Sequence, residues 1–237
     1  MASGEDRTLA YARQLELDDG RLAQEIETIA AVETETAALR ERALALEVFL
    51  RELPARRDAA AGALGEAETD LEVKRREVAR ADSELTAAER GRDAEVLAAA
   101  RRAVVRARDA AAMAEKKRER AQDTIEGLER QAGAIDEDVP RLTERADLLA
   151  ERAGRIRRLS QGSAEPPEPG LDGTISWCGR ALAALLVARS GLESEREGLV
   201  RQANELAASV LGEPLAATSA LGARQRLEAA LEVQERR

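Results

Sequence analysis

Apolar side chains recur at alternating steps of three and four residues along most of this chain. The longest such stripe runs from Leu97 to Ile156, and Arg118 is its only member that is not apolar. A mean spacing of 3.5 residues that persists for roughly eight heptads is typical of helices that wind around each other. The stripe therefore predicts a long helix with an apolar seam that another helix must cover.

Two further stripes precede this one, over residues 5–53 and 56–89. Pro54 separates them, and a proline disfavours the helical conformation in the residue before it. A change of phase near Gly91 indicates a second turn, with Asp93 as the N-cap of the next helix. We predict helices over about residues 5–53, 56–89 and 93–158, a first turn at 53–57, and antiparallel packing of the first two helices.

Gly133 and Pro140 lie within the third predicted helix, yet the stripe passes through them in phase. Between them Asp136, Glu137 and Asp138 would suit a helix start, because acidic side chains stabilise the positive end of a helix. The unbroken phase favours a kink in one helix over a corner between two. The heptads leave open whether this helix returns along the first two or pairs with its copy in a second chain.

Residues 160–174 are rich in proline and glycine, which predicts a flexible linker. It would divide an N-terminal coiled-coil region, residues 1–159, from a C-terminal helical region, residues 175–237. Thr174 or Ser176 would cap the first C-terminal helix. Residues 212–214 would end it, and a short amphipathic helix with Leu221, Leu227 and Leu231 would follow.

The predicted fold class is all-α: an elongated antiparallel or dimeric coiled coil, or a long helical bundle, with a smaller C-terminal helical region. The candidate helix-interface residues are the large apolar members of the seams. They are Leu39, Leu46, Leu50, Leu64, Leu71, Val78, Leu85, Leu97, Val104, Ile125, Leu128, Ile135, Leu142, Leu149, Ile156, Leu185, Leu192, Leu199 and Leu206.

Composition supports thin helical seams rather than a thick core. Charged residues make up 35% of the chain, and its aromatic residues are Tyr11, Phe49 and Trp177. The formal net charge is −9, a poor match to nucleic acid or anionic membranes. We expect neither a membrane span nor a secretion signal, because no 18-residue apolar run and no basic-apolar leader is present. One cysteine fits a reducing, cytoplasmic location, and the 34 arginines against three lysines indicate a GC-rich, bacterial genome.

The sequence offers little catalytic chemistry. It has no histidine, one cysteine and neither a phosphate-binding loop nor a dinucleotide-binding motif. We therefore predict no catalytic residue, no cofactor and no metal. The acidic cluster at residues 136–138 could hold a metal, but a helix start explains it as well. Cys178 could be a reactive thiol, but it falls on a seam position, where a buried cysteine acts as a small apolar residue.

Residues 101–120 contain eight basic and three acidic side chains. Such a stripe could bind nucleic-acid phosphates, through Arg101, Arg102, Arg106 and Arg108. No aromatic residue lies among them to stack on bases. Residues 1–53 carry twelve acidic against six basic side chains, so pairing between helices is the favoured explanation.

Four cationic residues occupy seam positions: Lys74, Arg118, Arg189 and Arg196. A buried cation without a partner is costly, so each should meet a carboxylate or mark a place where the seam is open to water. A docking site for a helix of another protein is a third explanation.

The functional hypothesis is a non-catalytic coiled-coil protein that acts as a scaffold, a spacer or an oligomerisation and adaptor module. Its partner would be protein, either a second copy or another helical protein. The alternatives are a nucleic-acid-associated protein that uses the 101–120 stripe, and an accessory subunit of an enzyme encoded elsewhere.

Overall fold

The chain is all-α, as predicted. A computed structural model describes residues 4–91, 93–159 and 161–235, and no strand occurs among them. Five helices follow one another in these described residues. They are α1 (Gly4–Gly91), α2 (Ala94–Gly154), α3 (Gln161–Ala164), α4 (Leu171–Leu211) and α5 (Ala220–Glu235).

Helix α1 continues through Pro54 for 88 residues. The predicted turn at residues 53–57, and the antiparallel packing of the segments on either side of it, are therefore wrong. An interior proline costs about 3 kcal/mol of helix stability. The apolar phase nevertheless passes through it, and Leu53 and Ala60 are both only 7% exposed. Continuing the helix keeps this buried face in register, which outweighs the cost of one proline.

Helix α2 likewise includes both Gly133 and Pro140 within its 61 residues. The prediction of one continuous helix is confirmed, and the alternative of a corner between two helices is wrong. Asp136, Glu137 and Asp138 consequently lie in the interior of a helix, so their interpretation as a helix start is also wrong.

The turn between the two long helices lies where the sequence predicts it. Helix α1 ends at Gly91, and the Asp93 carboxylate oxygen Oδ1 accepts hydrogen bonds from the backbone N–H groups of Glu95, at 2.9 Å, and Val96, at 3.3 Å. Asp93 is thus the predicted N-cap of α2.

The proline-rich segment is shorter than predicted. Ser160 lies outside the described residues, Gln161–Ala164 form one helical turn, and α4 begins at Leu171. Thr174 and Ser176 are therefore inside the helix, so neither is its cap. Gly170 precedes the helix with φ of 100°, a conformation that favours glycine.

Two features fix the entry into α4. A Cβ atom at Gly173 would lie 2.0 Å from the backbone oxygen of Glu168, so only glycine allows this close approach. Pro167 is buried. The segment is therefore packed against its neighbours along this stretch.

The C-terminal end of α4 matches the prediction. Gly212 adopts the left-handed conformation, with φ of 73°, and its N–H donates to the carbonyl oxygen of Ala208. The short helix α5 follows and buries Leu227 and Leu231, while Leu221 is 40% exposed.

The chain forms two compact units, and both long helices contribute to each. Unit 1 comprises Met1–Leu44 and Pro140–Arg237, and unit 2 comprises Ala45–Val139. This division does not follow the predicted boundary at residues 160–174. The largest fully buried side chains of unit 1 come from α1, α2, α4 and α5; they include Ile29, Leu149, Trp177, Leu185, Leu192 and Leu227.

Unit 2 pairs the second half of α1 with the first part of α2 in antiparallel register. Arg75 forms an ion pair with Glu115 at 3.4 Å, and Asp82 forms one with Arg108 at 3.0 Å. A step of seven residues forward along α1 thus matches a step of seven backward along α2. The antiparallel partner of residues 56–89 is therefore α2.

Helix α4 is long and apolar enough to cross a membrane by length and composition alone, with an 18-residue window of mean hydropathy 1.2. The expectation that no segment qualifies was too strict, because it required an uninterrupted apolar run. A third of that window, 33%, is buried inside the protein. Trp177, Leu185 and Leu192 of α4 are fully buried in unit 1.

Candidate functional site

The candidate helix-interface residues lie on covered helix faces. All nineteen are buried or half-buried, and none is exposed. In unit 1, Leu199 and Leu206 pack on a cluster formed by Leu15, Ala203 and residues of α5. The seam of α4 thus finds an apolar surface within the same chain.

Asp19 connects three helices of unit 1. Its side chain is buried, with 5% exposure. Oδ1 accepts a hydrogen bond of 2.7 Å from Nε of Arg196 on α4, and Oδ2 accepts one of 3.2 Å from the N–H of Ala220, the first residue of α5. A carboxylate in this place satisfies an unpaired helix N–H and favours the positive end of α5.

Other acidic residues of α1 pair with arginines in the same way. Glu33 accepts a hydrogen bond from Arg189 on α4 at 2.7 Å. Glu35 accepts hydrogen bonds from Arg152, at 2.6 Å, and from Arg145, both on α2. The Arg152 hydrogen bond, with the charges of Arg152 and Arg145, lowers the pKa of Glu35 despite the opposing effect of burial.

Helix α5 is held near its N-terminal end by ion pairs, and the connection that leads into it is held by hydrogen bonds to the backbone. Arg224 pairs with Glu16 of α1 and with Glu228 on its own helix. The connection from α4 to α5 is fixed by Asn204, whose amide donates to the Ala217 carbonyl at 3.0 Å and accepts from its N–H at 2.9 Å. These polar contacts set the register of the helices, and they also give the polar groups hydrogen-bond partners.

We define the acidic edge of α1 as Glu16, Asp19, Glu33 and Glu35. Each member pairs with an arginine of α2, α4 or α5. The acidic excess of the first helix predicted pairing between that helix and the 101–120 stripe. The structure instead supplies these four residues with arginines from outside that stripe.

The predicted nucleic-acid residues do not act as one group. Arg108 is engaged by Asp82. Arg101, Arg102 and Arg106 are exposed on α2 and line a groove of about 400 Å³ together with Val105. No carboxylate partner of these three lies among the described residues.

Three of the four seam cations meet carboxylates. Arg189 and Arg196 pair with Glu33 and Asp19, and Lys74 pairs with Glu77 at 3.0 Å on its own helix. Arg118 differs, because it has no carboxylate partner among the described residues, and its Nε, like that of Arg189, is buried without a hydrogen-bond partner there.

Cys178 has no solvent exposure. Burial raises the pKa of its thiol to about 11, and the nearby charge of Arg40 opposes this only in part. The thiolate is the reactive form, so this environment suits the packing explanation rather than the nucleophile. In the described part of the chain no group of three or more His, Cys, Asp or Glu side chains is placed to hold a metal.

Sequence reasoning missed the arginines that hold the acidic edge. Arg145, Arg152 and Arg224 lie outside the apolar seams, so a search restricted to seam positions passes over them. Glu35 and Arg152 are separated by 117 residues, so no local motif marks the pair. The excess of acid in residues 1–53 was the available signal, and it indicated basic partners without identifying them.

No family model, no curated protein and no solved structure matches this chain. Its function must therefore be argued from the arrangement of its own side chains. These charged side chains form ion pairs between helices, which suits them to fixing the positions of the helices.

Proposed function

We propose that this chain is a non-catalytic helical scaffold or adaptor, in which unit 2 is an antiparallel coiled-coil hairpin. The observation that carries this proposal is the constant register of the two interhelical ion pairs, Arg75 with Glu115 and Asp82 with Arg108. Large and small buried residues alternate along the same face, including Ala67, Leu71 and Ala81. Such alternation supports close, regular helix packing.

A protein partner fits the remaining surface of unit 2. The seam positions are covered within one chain, while Val73, Val96, Val105 and Met113 are 44–70% exposed on other faces. This favours another helical protein over a second copy that pairs through the seams. The absence of histidine and the single buried cysteine support a role without catalysis, and the cysteine usage supports a cytoplasmic location.

Site-specific photocrosslinking in the cells that naturally make this protein tests the adaptor function. A photoreactive amino acid at Val105 or Met113 should give a discrete adduct with another protein. The matched control is the same amino acid at Arg57, an exposed position of α1 in the same unit. The absence of adducts from Val73, Val96, Val105 and Met113 alike, with correctly folded protein, would contradict the proposal.

The register itself is tested by pulsed electron spin resonance in a Cys178→Ala background. Spin labels at positions 75 and 115 should give one short, narrow distance. Labels at positions 75 and 101 should lie about 20 Å farther apart along the helix axis, because they are 14 residues out of register. Equal distances for the two pairs would exclude the antiparallel hairpin.

A nucleic-acid-associated function is the second candidate. The groove around Val105 favours it, because Arg101, Arg102 and Arg106 lie there without carboxylate partners among the described residues. Phosphate contacts of this kind need no base recognition.

A mobility-shift titration with duplex DNA at two salt concentrations tests this candidate. Binding should weaken as salt rises and disappear with Arg101→Glu plus Arg102→Glu. The control, Arg56→Glu plus Arg57→Glu, makes the same charge change on α1. Absence of a shift at low salt, or equal loss with the control, would exclude a specific role for the groove.

A further inference from the structure

A cleft in unit 1 is lined by arginines that do not pair with the acidic edge of α1. It has a volume of about 580 Å³, within the range of small-molecule pockets. Four arginines line it, Arg21, Arg155, Arg157 and Arg158, against one carboxylate, Glu25. This local excess of positive charge occurs in a chain whose net charge is −9.

Only part of this positive charge is neutralised by the protein. Arg158 donates hydrogen bonds to both carboxylate oxygens of Glu195, at 2.5 and 2.9 Å, and Nε of Arg21 lies 3.3 Å from Glu25. Arg155 and Arg157 are exposed and have no carboxylate partner in the part of the chain that the structure describes. Two guanidinium groups are therefore available to an external anion.

The segment that carries these arginines is held by its own hydrogen bonds. The N–H of Arg155 donates to the carbonyl oxygen of Arg152, and the N–H of Ile156 donates to that of Ala153. A further bond joins the Leu159 N–H to the Ile156 carbonyl oxygen. These turn bonds fix the backbone of the segment that carries Arg155 and Arg157 without any contribution from a ligand.

The floor of the cleft is apolar. Ile29 and Leu192 lie beneath the cleft with 1% and 0% exposure, so Ile156, half-buried between the two free arginines, supplies the apolar surface of the floor that a ligand can contact. Gln24 and Thr28 add neutral polar groups to the wall. A simple inorganic anion would leave the apolar floor without a contact, whereas an organic anion would use both parts of the cleft.

We propose that this cleft binds a small organic phosphate of the size of a nucleoside diphosphate. Guanidinium groups bind phosphate through paired, charge-assisted hydrogen bonds, which suits Arg155 and Arg157. The apolar floor receives the organic part of the ligand. This site is separate from the exposed face of unit 2 that the scaffold function uses, although Ile156 and Leu192 in its floor are also seam residues.

Isothermal titration calorimetry on the full chain tests the site with ADP, adenosine and inorganic pyrophosphate. ADP should bind more tightly than either of the other two, and its affinity should fall as salt rises. Arg155→Gln plus Arg157→Gln should weaken ADP binding at least about tenfold, as expected for the loss of charged hydrogen bonds. Both side chains are exposed, so circular dichroism of the variant should match the wild type.

The matched control is Arg56→Gln plus Arg57→Gln, which removes two adjacent exposed arginines from α1 and should leave ADP binding unchanged. Pyrophosphate binding as tight as that of ADP would overturn the organic-phosphate assignment. So would ADP binding that survives the Arg155 and Arg157 substitutions. Absence of ADP binding at low salt would mean that these arginines only complement the negative C-terminal end of α2.

Discussion

Asp19 shows how one polar side chain can define the packing of three helices. The residue occupies a seam position, where an apolar side chain is the rule. Instead its carboxylate binds Arg196 and the N-terminal end of α5. These partners are 177 and 201 residues away in sequence, so no local pattern reveals them.

Asp19→Ala should destabilise the protein by about 2–3 kcal/mol, because it leaves both Arg196 and the Ala220 N–H without a partner. Urea unfolding followed by fluorescence of Trp177, which is buried in unit 1, measures the change. The control is Asp18→Ala, which removes only an exposed contact with Gln14 and should cost less than about 0.5 kcal/mol. Equal effects of the two substitutions would contradict the role of Asp19.

Cys178 makes stability depend on pH in the alkaline range. Its pKa is about 11 in the folded chain against an ordinary value of 9.0. Between these values the unfolded thiol releases its proton while the folded thiol keeps it, so stability falls as pH rises from 9 to 11. The total loss is at most about 3 kcal/mol.

Unfolding free energies at pH 8 and pH 10 for the wild type and Cys178→Ala measure this effect. The variant should be less stable at pH 8, because it loses a buried sulfur, but its stability should fall less between the two pH values. The other titrating groups are common to both proteins and cancel. An identical pH dependence in the two proteins would show that the thiol ionises as readily in the folded chain as in the unfolded one.

At the scale of helices, proline and apolar phase gave opposite signals at Pro54. The prediction from sequence followed the phase at Pro140 and the proline at Pro54, although the seven-residue phase also continues past Pro54, from Leu53 to Ala60. The structure has continuous helices at both places. A buried face that extends over many turns outweighs one local preference, so phase is the better guide in long amphipathic helices.

Pro54→Ala should therefore stabilise the protein, by about 1–3 kcal/mol, since it restores a backbone hydrogen bond and removes a steric clash with the preceding turn. Thermal or urea unfolding measures the change. The control is Pro166→Ala in the non-helical segment before α4, which should cost up to about 1 kcal/mol by loosening the unfolded chain. A similar loss of stability with Pro54→Ala would indicate a turn at this position.

The helices with long apolar periods, the cap at Asp93 and the stop at Gly212 could all be predicted from sequence. Each rests on a local signal: spacing, a short polar side chain before a helix, or a glycine followed by a proline. The start of α4 could not, because Gly170 offers no side chain for capping. The partners of the acidic edge, and the cleft around Arg155 and Arg157, are formed by residues distant in sequence and therefore required the structure.

For the whole molecule, the burial of the seams within one chain bears on its state in solution. A seam that awaited a second copy would leave a row of large apolar residues exposed. None of the nineteen predicted interface residues is exposed in a single chain, and the exposed large apolar side chains lie off the seams. The net charge of −9 adds mutual repulsion between copies.

Sedimentation velocity over a concentration series should therefore give a monomer of 25.6 kDa at every concentration. A species of twice that mass would contradict this expectation, and two variants would then locate the contact. Loss of the dimer with Val105→Asp would place it on the exposed face of unit 2. Persistence of the dimer in Val105→Asp, with its loss in Leu128→Asp, would mean that the seam of α2 is shared between chains, and the ion pair between Asp82 and Arg108 would then have to form between copies as well.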